Sequence, residues 1–162
     1  MSQVQQIPGT PKQLLRAIRI LFGAIIAGAV IFSVIVLALN KMEKTISPVK
    51  EFENIILVAG IAIALVCLII ARNGYDKSMA TAKNSLISLT DKLNQYRSAL
   101  ILYIALCEGP ALFGIILFFI TGYYLMFIIT AVMIAAMLVK TPTTKRVIDD
   151  LGLGWQQRQE LE

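Results

Sequence analysis

The stretch from Ser98 to Val139 carries a single charged residue, Glu108, among its 42 positions. As one helix this stretch would be about 63 Å long, roughly twice the thickness of the hydrocarbon core of a bilayer. It must therefore fold back on itself. We expect the turn at residues 121–124 (Thr-Gly-Tyr-Tyr), because glycine permits a tight turn and tyrosine suits a membrane interface.

Two further apolar runs precede this stretch, the twenty residues from Ile20 to Leu39 and the seventeen from Ile55 to Ala71. The first is long enough for a full crossing and the second is near the short limit. The first also exceeds the apolar core of a cleaved signal peptide, so we expect a retained anchor. Charged residues make up only 15% of the chain, which excludes a water-soluble globular protein and a disordered chain.

These runs predict an all-α integral membrane protein with four transmembrane helices in a single membrane domain. The expected parts are an N-terminal tail (1–13), four spans (14–40, 54–73, 98–121 and 123–140), an amphipathic cytoplasmic helix between the second and third spans (74–97), and a cytoplasmic tail (141–162). Within that tail we expect a short helix through Val147, Ile148 and Leu151, ended by Gly152.

Basic residues are distributed unequally between the two predicted sides of the membrane. Twelve lie on the side that holds both termini and the loop between the second and third spans, whereas the other side holds Lys41, Lys44 and Lys50. The positive-inside rule therefore predicts that both termini lie in the cytoplasm, with the protein in a bacterial inner membrane. Anionic lipid accounts for the excess charge, so we expect the lipid bilayer as a partner and no nucleic acid.

The segment 74–97 contains an apolar stripe at alternating spacings of three and four residues. Its members are Met79, Ala82, Leu86, Leu89, Leu93 and Tyr96. One interpretation is a helix that packs on neighbouring parts of its own chain. The other is a short coiled-coil seam for self-association or for a partner. The stripe spans too few heptads to decide between them.

Small residues recur at four-residue spacing in every predicted span, where they let helices approach closely in lipid. They include Gly23, Ala24 and Gly28 in the first span, Gly60 and Ala64 in the second, Ala105 in the third, and Ala131 and Ala135 in the fourth. This pattern predicts close packing, either within one chain or in a homo-oligomer or a complex with a partner membrane subunit.

Few residues of this chain are typical of catalytic or metal sites. It has no histidine and only two cysteines, Cys67 and Cys107, so we expect no metal site and no cofactor. No glycine-rich phosphate loop or nucleophile motif is present. Asp149 and Asp150 are adjacent on an expected helix, where neighbouring positions do not face each other, and we expect both to be solvated.

Glu108 is the one candidate site residue. It lies eleven residues beyond Arg97, about 16 Å along a helix and close to the bilayer midplane. An ionised carboxylate is costly there, so we expect it to be protonated, paired or beside water. Thr130 lies at a similar depth and is the best candidate partner. Pro110 lacks an N–H and, with Gly109, predicts a break in the helix that frees a carbonyl.

The segments 97–101 (Arg-Ser-Ala-Leu-Ile) and 105–114 (Ala-Leu-Cys-Glu-Gly-Pro-Ala-Leu-Phe-Gly) resemble the ion-binding helix of rotary-ATPase c subunits, the proteolipids. In that family a basic cytoplasmic loop leads into a helix whose glutamate binds the translocated proton or sodium ion. The resemblance implies that role for Glu108. The chain departs from the family in its longer loop, its added first helix and Pro110. As a whole, it resembles small four-span bacterial membrane proteins of unassigned function.

Two functions are therefore expected. The first is a non-enzymatic membrane protein that serves as an accessory, assembly or oligomeric scaffold subunit. The second is an ion-coupled or ion-conducting protein that uses Glu108 to bind a proton or sodium ion. An enzyme acting on lipid is a weaker third alternative, because the loops are too short to build a pocket.

Overall fold

The structure, a computed structural model, describes residues 10–42, 53–85 and 87–161. These residues form six helices and no strand, namely α1 (Pro11–Met42), α2 (Glu53–Asn84), α3 (Leu89–Thr121), α4 (Tyr124–Val139), α5 (Thr144–Leu151) and α6 (Trp155–Gln159). Most of the predicted N-terminal tail and the loop between the first two spans, with Lys44 and Lys50, lie outside the described residues.

Three helices, α1, α2 and α3, are long and apolar enough to cross a membrane. Each has 32 or 33 residues and is therefore about 48 Å long, well beyond the roughly 30 Å of a hydrocarbon core. α4 has only 16 residues, which is short for a membrane span, and α5 follows it after a bend of 76°. The chain has a fourth candidate span only if α4 and α5 are counted as one bent helix. The predicted all-α architecture is thus confirmed for the described residues, with three to four helices long and apolar enough to cross a membrane.

α3 is the central helix, since it packs against α1, α2, α4 and α5. Its buried face continues from Leu89 near one end to Thr121 at the other. A small core of Val36, Ile115, Phe118 and Met126 lies near the α3–α4 turn. A larger core extends from the middle of the bundle to the opposite end, which holds the start of α1, the α2–α3 turn, α5 and α6. We call this the basic end.

The segment 74–97 is not a separate helix, and the prediction of one is wrong. Residues 74–84 continue α2, and residues 89–97 form the start of α3, so the chain makes a helical hairpin that turns at 85–88. Ser88 sets this turn, because its Oγ accepts a hydrogen bond from Asp91 N at 3.2 Å and donates one to Asp91 Oδ2 at 2.6 Å. The bond from Asp91 N is the pattern of a helix N-terminal cap, and the bond to Asp91 Oδ2 holds the Ser88 hydroxyl in place.

The apolar stripe of this segment is the inner face of the hairpin. Ala82, Leu93 and Tyr96 are fully buried, Met79 and Leu89 are nearly so, and Leu86 lies outside the described residues. All five described members belong to the larger core of the same chain. The stripe therefore packs on its own neighbours, as the first interpretation predicted.

The sharp turns were predicted correctly. α3 ends at Thr121, and Gly122 adopts φ 68°, a left-handed conformation that glycine accepts without strain. Its N–H donates to Phe118 O at 2.8 Å. The short tail helix is α5, in which Val147, Ile148 and Leu151 are buried and after which Gly152 has φ 58°.

Candidate functional site

Glu108 is half-buried in the apolar part of α3, next to the fully buried Cys107. Its carboxylate makes no hydrogen bond or ion pair with any residue that the structure describes. Arg97 lies eleven residues away on the same helix, about 16 Å along its axis. The structure thus leaves Glu108 as a carboxyl without an intramolecular countercharge in the described part of the chain.

The predicted pairing of Glu108 with Thr130 is not present. Thr130 is fully buried, and its hydroxyl donates to Ala111 O of α3 at 2.7 Å. A hydroxyl has one proton to donate, so this bond leaves Thr130 unable to donate to a carboxylate as well. Sequence depth placed Thr130 and Glu108 at one level, but Thr130 faces the side of α3 that carries Ala111 and Gly114.

The predicted helix break at Gly109 and Pro110 is also wrong, because α3 continues through both residues to Thr121. Pro110 is buried within the bundle. A proline removes one backbone hydrogen bond, that to the Leu106 carbonyl, and neighbouring helices keep the remaining turns in place. The consequence is one loosened turn directly beside Glu108 rather than an interruption.

The small residues divide into two groups. Gly60 and Ala64 are buried, and a Cβ added at Gly60 would lie 3.0 Å from Ile129 Cδ1 of α4. The others are exposed in this chain, namely Gly23, Ala24 and Gly28 of α1, Ala105 of α3, and Ala131 and Ala135 of α4. A Cβ at Gly23 or Gly28 would meet no atom within 4 Å. Gly114 of α3 lies against α4, because a Cβ there would be 2.7 Å from Thr130 Oγ1.

A cluster of aromatic rings and charges joins four helices near the basic end. We call it the tyrosine cluster, and it consists of Tyr75, Tyr96 and Tyr103 with Lys140 and Asp150. The ring of Tyr75 lies 6.2 Å from that of Tyr96 and 5.8 Å from that of Tyr103, both edge to face. Such contacts between aromatic rings are favourable in this geometry.

Polar contacts complete the tyrosine cluster. Tyr75 donates its hydroxyl proton to Asp150 Oδ2 of α5 at 2.6 Å, and Tyr103 donates to Ala136 O of α4 at 3.1 Å. Lys140 Nζ lies 4.0 Å from the centre of the Tyr75 ring and 3.5 Å from Asp76 Oδ1. Asp150 is thus half-buried and bonded to Tyr75, which the sequence did not predict, whereas Asp149 is exposed.

Sequence reasoning missed the tyrosine cluster. Tyr96 and Tyr103 are seven residues apart and so share a helix face, which was a usable signal. The contact between Tyr75 and Asp150 joins residues 75 positions apart, and no local pattern indicates it. The arrangement holds α2, α3, α4 and α5 together, and its hydroxyls are engaged in structural bonds, except for the buried Tyr96 hydroxyl, which has no partner among the described residues.

Ion ligands do not converge in the described chain. Within residues 10–42, 53–85 and 87–161, no three His, Cys, Asp or Glu side chains lie close enough to hold a metal ion. Comparison of the chain with protein-family models, curated proteins and solved structures finds no match. The resemblance of 97–114 to the c-subunit helix therefore stays a prediction.

Proposed function

We propose that this protein is a non-enzymatic membrane protein that serves as an accessory, assembly or scaffold subunit. The observation that carries the proposal is the exposed small-residue face of α1, formed by Gly23, Ala24 and Gly28. In lipid, such a face lets a second helix approach closely and gain dispersion contacts. The described part of the chain leaves it open, since none of its atoms lies within 4 Å of a Cβ at Gly23 or Gly28.

Mass measurement in native lipid tests this proposal. We expect the extracted protein to have a mass above that of one chain, as a homo-oligomer or with a partner membrane subunit. Ala24→Leu with Gly28→Leu should return it to a single chain, because two bulky side chains four residues apart on one helix face hold a neighbouring helix away. Gly109→Leu, at another exposed glycine, is the matched control and should leave the assembly intact. A strict monomer from native lipid would contradict the proposal.

We propose that the protein lies in a bacterial inner membrane and that its basic end faces the cytoplasm. Its support is the charge distribution, with twelve basic residues at that end. A green fluorescent protein fused after Glu162 should fluoresce, and an alkaline phosphatase fused there should be inactive. Active phosphatase would reverse the orientation.

A second candidate function is ion coupling at Glu108. It is favoured by a half-buried carboxyl without a described partner beside the turn that Pro110 loosens, and by the c-subunit resemblance. In proteoliposomes, Glu108→Gln should abolish proton or sodium flux, whereas Glu160→Gln, at an exposed position, should not. Equal flux in the unchanged protein, Glu108→Gln and empty vesicles would remove this candidate.

A further inference from the structure

A large cleft opens at the basic end between the first turns of α1, helix α5 and the C-terminal helix α6. Its volume is about 1160 Å³. The charged side chains that line it are Lys12, Arg16, Arg19, Lys145, Asp149 and Arg158. We call it the basic cleft.

We propose that the basic cleft binds a phosphate-bearing anion, either the headgroup of an anionic phospholipid or a free phosphate compound. The inference goes beyond the scaffold role and does not depend on the face of α1 that carries that role.

Among the described residues that line the basic cleft, four cations besides Lys12 face a single carboxylate, that of Asp149, and these cations are Arg16, Arg19, Lys145 and Arg158. Three of the cations lie on one face of α1, because Lys12, Arg16 and Arg19 are spaced by four and three residues. Like charges brought together from three helices repel one another, and a bound anion removes that cost. Arginine in particular suits phosphate, since its planar N–H groups pair with two oxygens at once.

Two of the arginines are already held in position. Arg19 donates from Nε to Pro142 O at 2.9 Å and from Nη2 to Thr144 Oγ1 at 2.6 Å. Arg158 donates from Nε to Leu153 O at 2.9 Å. A guanidinium has five N–H donors, so both retain donors for a ligand. Fixing the side chains in advance lowers the entropy that binding costs.

The lining of the cleft also fits an amphiphile. Leu15, Ile148 and Leu161 are buried residues that line the cleft beneath its charged rim. The apolar run of α1 begins at Ile20, one residue after Arg19. A phospholipid at the bilayer surface would therefore present its phosphate at the height of these arginines.

A matched pair of double variants tests the proposal. The cleft variant is Arg16→Gln with Lys145→Gln, two exposed residues whose side chains make no hydrogen bond or ion pair with any residue that the structure describes. The control variant is Lys77→Gln with Arg97→Gln, which removes the same charge from exposed positions at the same end but outside the cleft. Both should fold, which equal unfolding midpoints in neutral detergent would verify.

Calorimetric titration of the full chain in neutral detergent would use three probes, namely short-chain phosphatidylglycerol, short-chain phosphatidylcholine and inorganic phosphate. We expect an anionic probe to bind the unchanged protein and the control alike, and to bind the cleft variant about tenfold or more weakly, because charge-assisted hydrogen bonds are lost. Loss seen only with phosphatidylglycerol identifies a lipid headgroup. Loss seen with inorganic phosphate as well identifies the phosphate group as sufficient.

Three results would overturn the proposal. The first is failure of both anionic probes to bind the unchanged protein. The second is equal affinity of the cleft variant and the control variant for the anionic probes, which would show that binding depends only on the overall charge of the basic end. The third is equal affinity for phosphatidylglycerol and phosphatidylcholine, because the cleft should select a net negative headgroup.

Discussion

Gly114 of α3 and Thr130 of α4 lie so close together that a Cβ at position 114 would be 2.7 Å from Thr130 Oγ1. The same hydroxyl donates to Ala111 O, one turn away on α3. The missing side chain and the interhelical hydrogen bond therefore occur at the same point of the α3–α4 contact. Glycine is needed here because the neighbouring atoms at 3.0 and 3.2 Å are backbone atoms of α4, Met126 O and Thr130 N.

Gly114→Ala should destabilise the protein, because its methyl group would push α4 away from α3. The expected loss is roughly 1–3 kcal/mol, the usual cost of overpacking a tight core. Thermal unfolding in neutral detergent would measure it. Gly109→Ala is the matched control on the same helix, where a Cβ meets no atom within 4 Å, and should not destabilise. Equal midpoints for the two variants would contradict the close approach.

Thr130→Val should cost about 1 kcal/mol, since it keeps the shape of the side chain but removes the hydrogen bond to Ala111 O. The same unfolding assay applies. Thr81→Val, at an exposed position whose hydroxyl bonds to its own helix at Lys77 O, is the control and should change stability less. A larger loss of stability in Thr81→Val than in Thr130→Val would show that the α3–α4 hydrogen bond does not contribute as described.

Tyr75→Phe should weaken the attachment of α5 by roughly 1–3 kcal/mol, because the hydroxyl donates to a carboxylate. Hydrogen exchange of residues 144–151 should accelerate, while exchange in the middle of α3 should change little. Tyr124→Phe, at a tyrosine that is 62% exposed, is the control. If hydrogen exchange in α5 were unchanged in Tyr75→Phe, the apolar contacts of α5 alone would hold this helix in place.

Ser88→Ala should cost about 1 kcal/mol, the usual contribution of a helix N-terminal cap. The hairpin between α2 and α3 would then open more often, and a protease should cut near residues 85–88 faster than in the unchanged protein. Ser98→Ala, at an exposed position inside α3, serves as the control. Equal cleavage of both variants would argue against the cap.

The apolar segments and the turn at Gly122 could be predicted because they depend on local composition and on the length of a bilayer crossing. The hairpin turn could also have been recognised, since Ser-Leu-Thr-Asp at 88–91 is the pattern of a helix cap. The helical character of residues 74–97 was predicted, but the division of this segment between the end of α2 and the start of α3 was not, because the apolar stripe keeps its spacing across the break.

Contacts of the candidate site could be predicted only in part. Glu108 was located by its charge in an apolar stretch, but its depth did not determine its neighbours. Residues at the same depth in the membrane can face different directions around their helices. The rotation of α4 about its own axis brings the Thr130 hydroxyl to Ala111 O of α3 and not to Glu108. The pairing of Tyr75 with Asp150 depends on the bend between α4 and α5, whose direction no local sequence feature indicates.

The bend of 76° after α4 also determines which part of the hydrophobic core is completed last during synthesis. Val147, Ile148, Leu151, Leu153 and Leu161 complete a core whose other members lie on α1 to α4. Synthesis proceeds from the N-terminus, so the buried face of the α2–α3 hairpin has no cover from α5 until residues 144–151 have left the ribosome. During that interval the nascent chain presents an apolar surface, and packing of α5 onto the hairpin covers it.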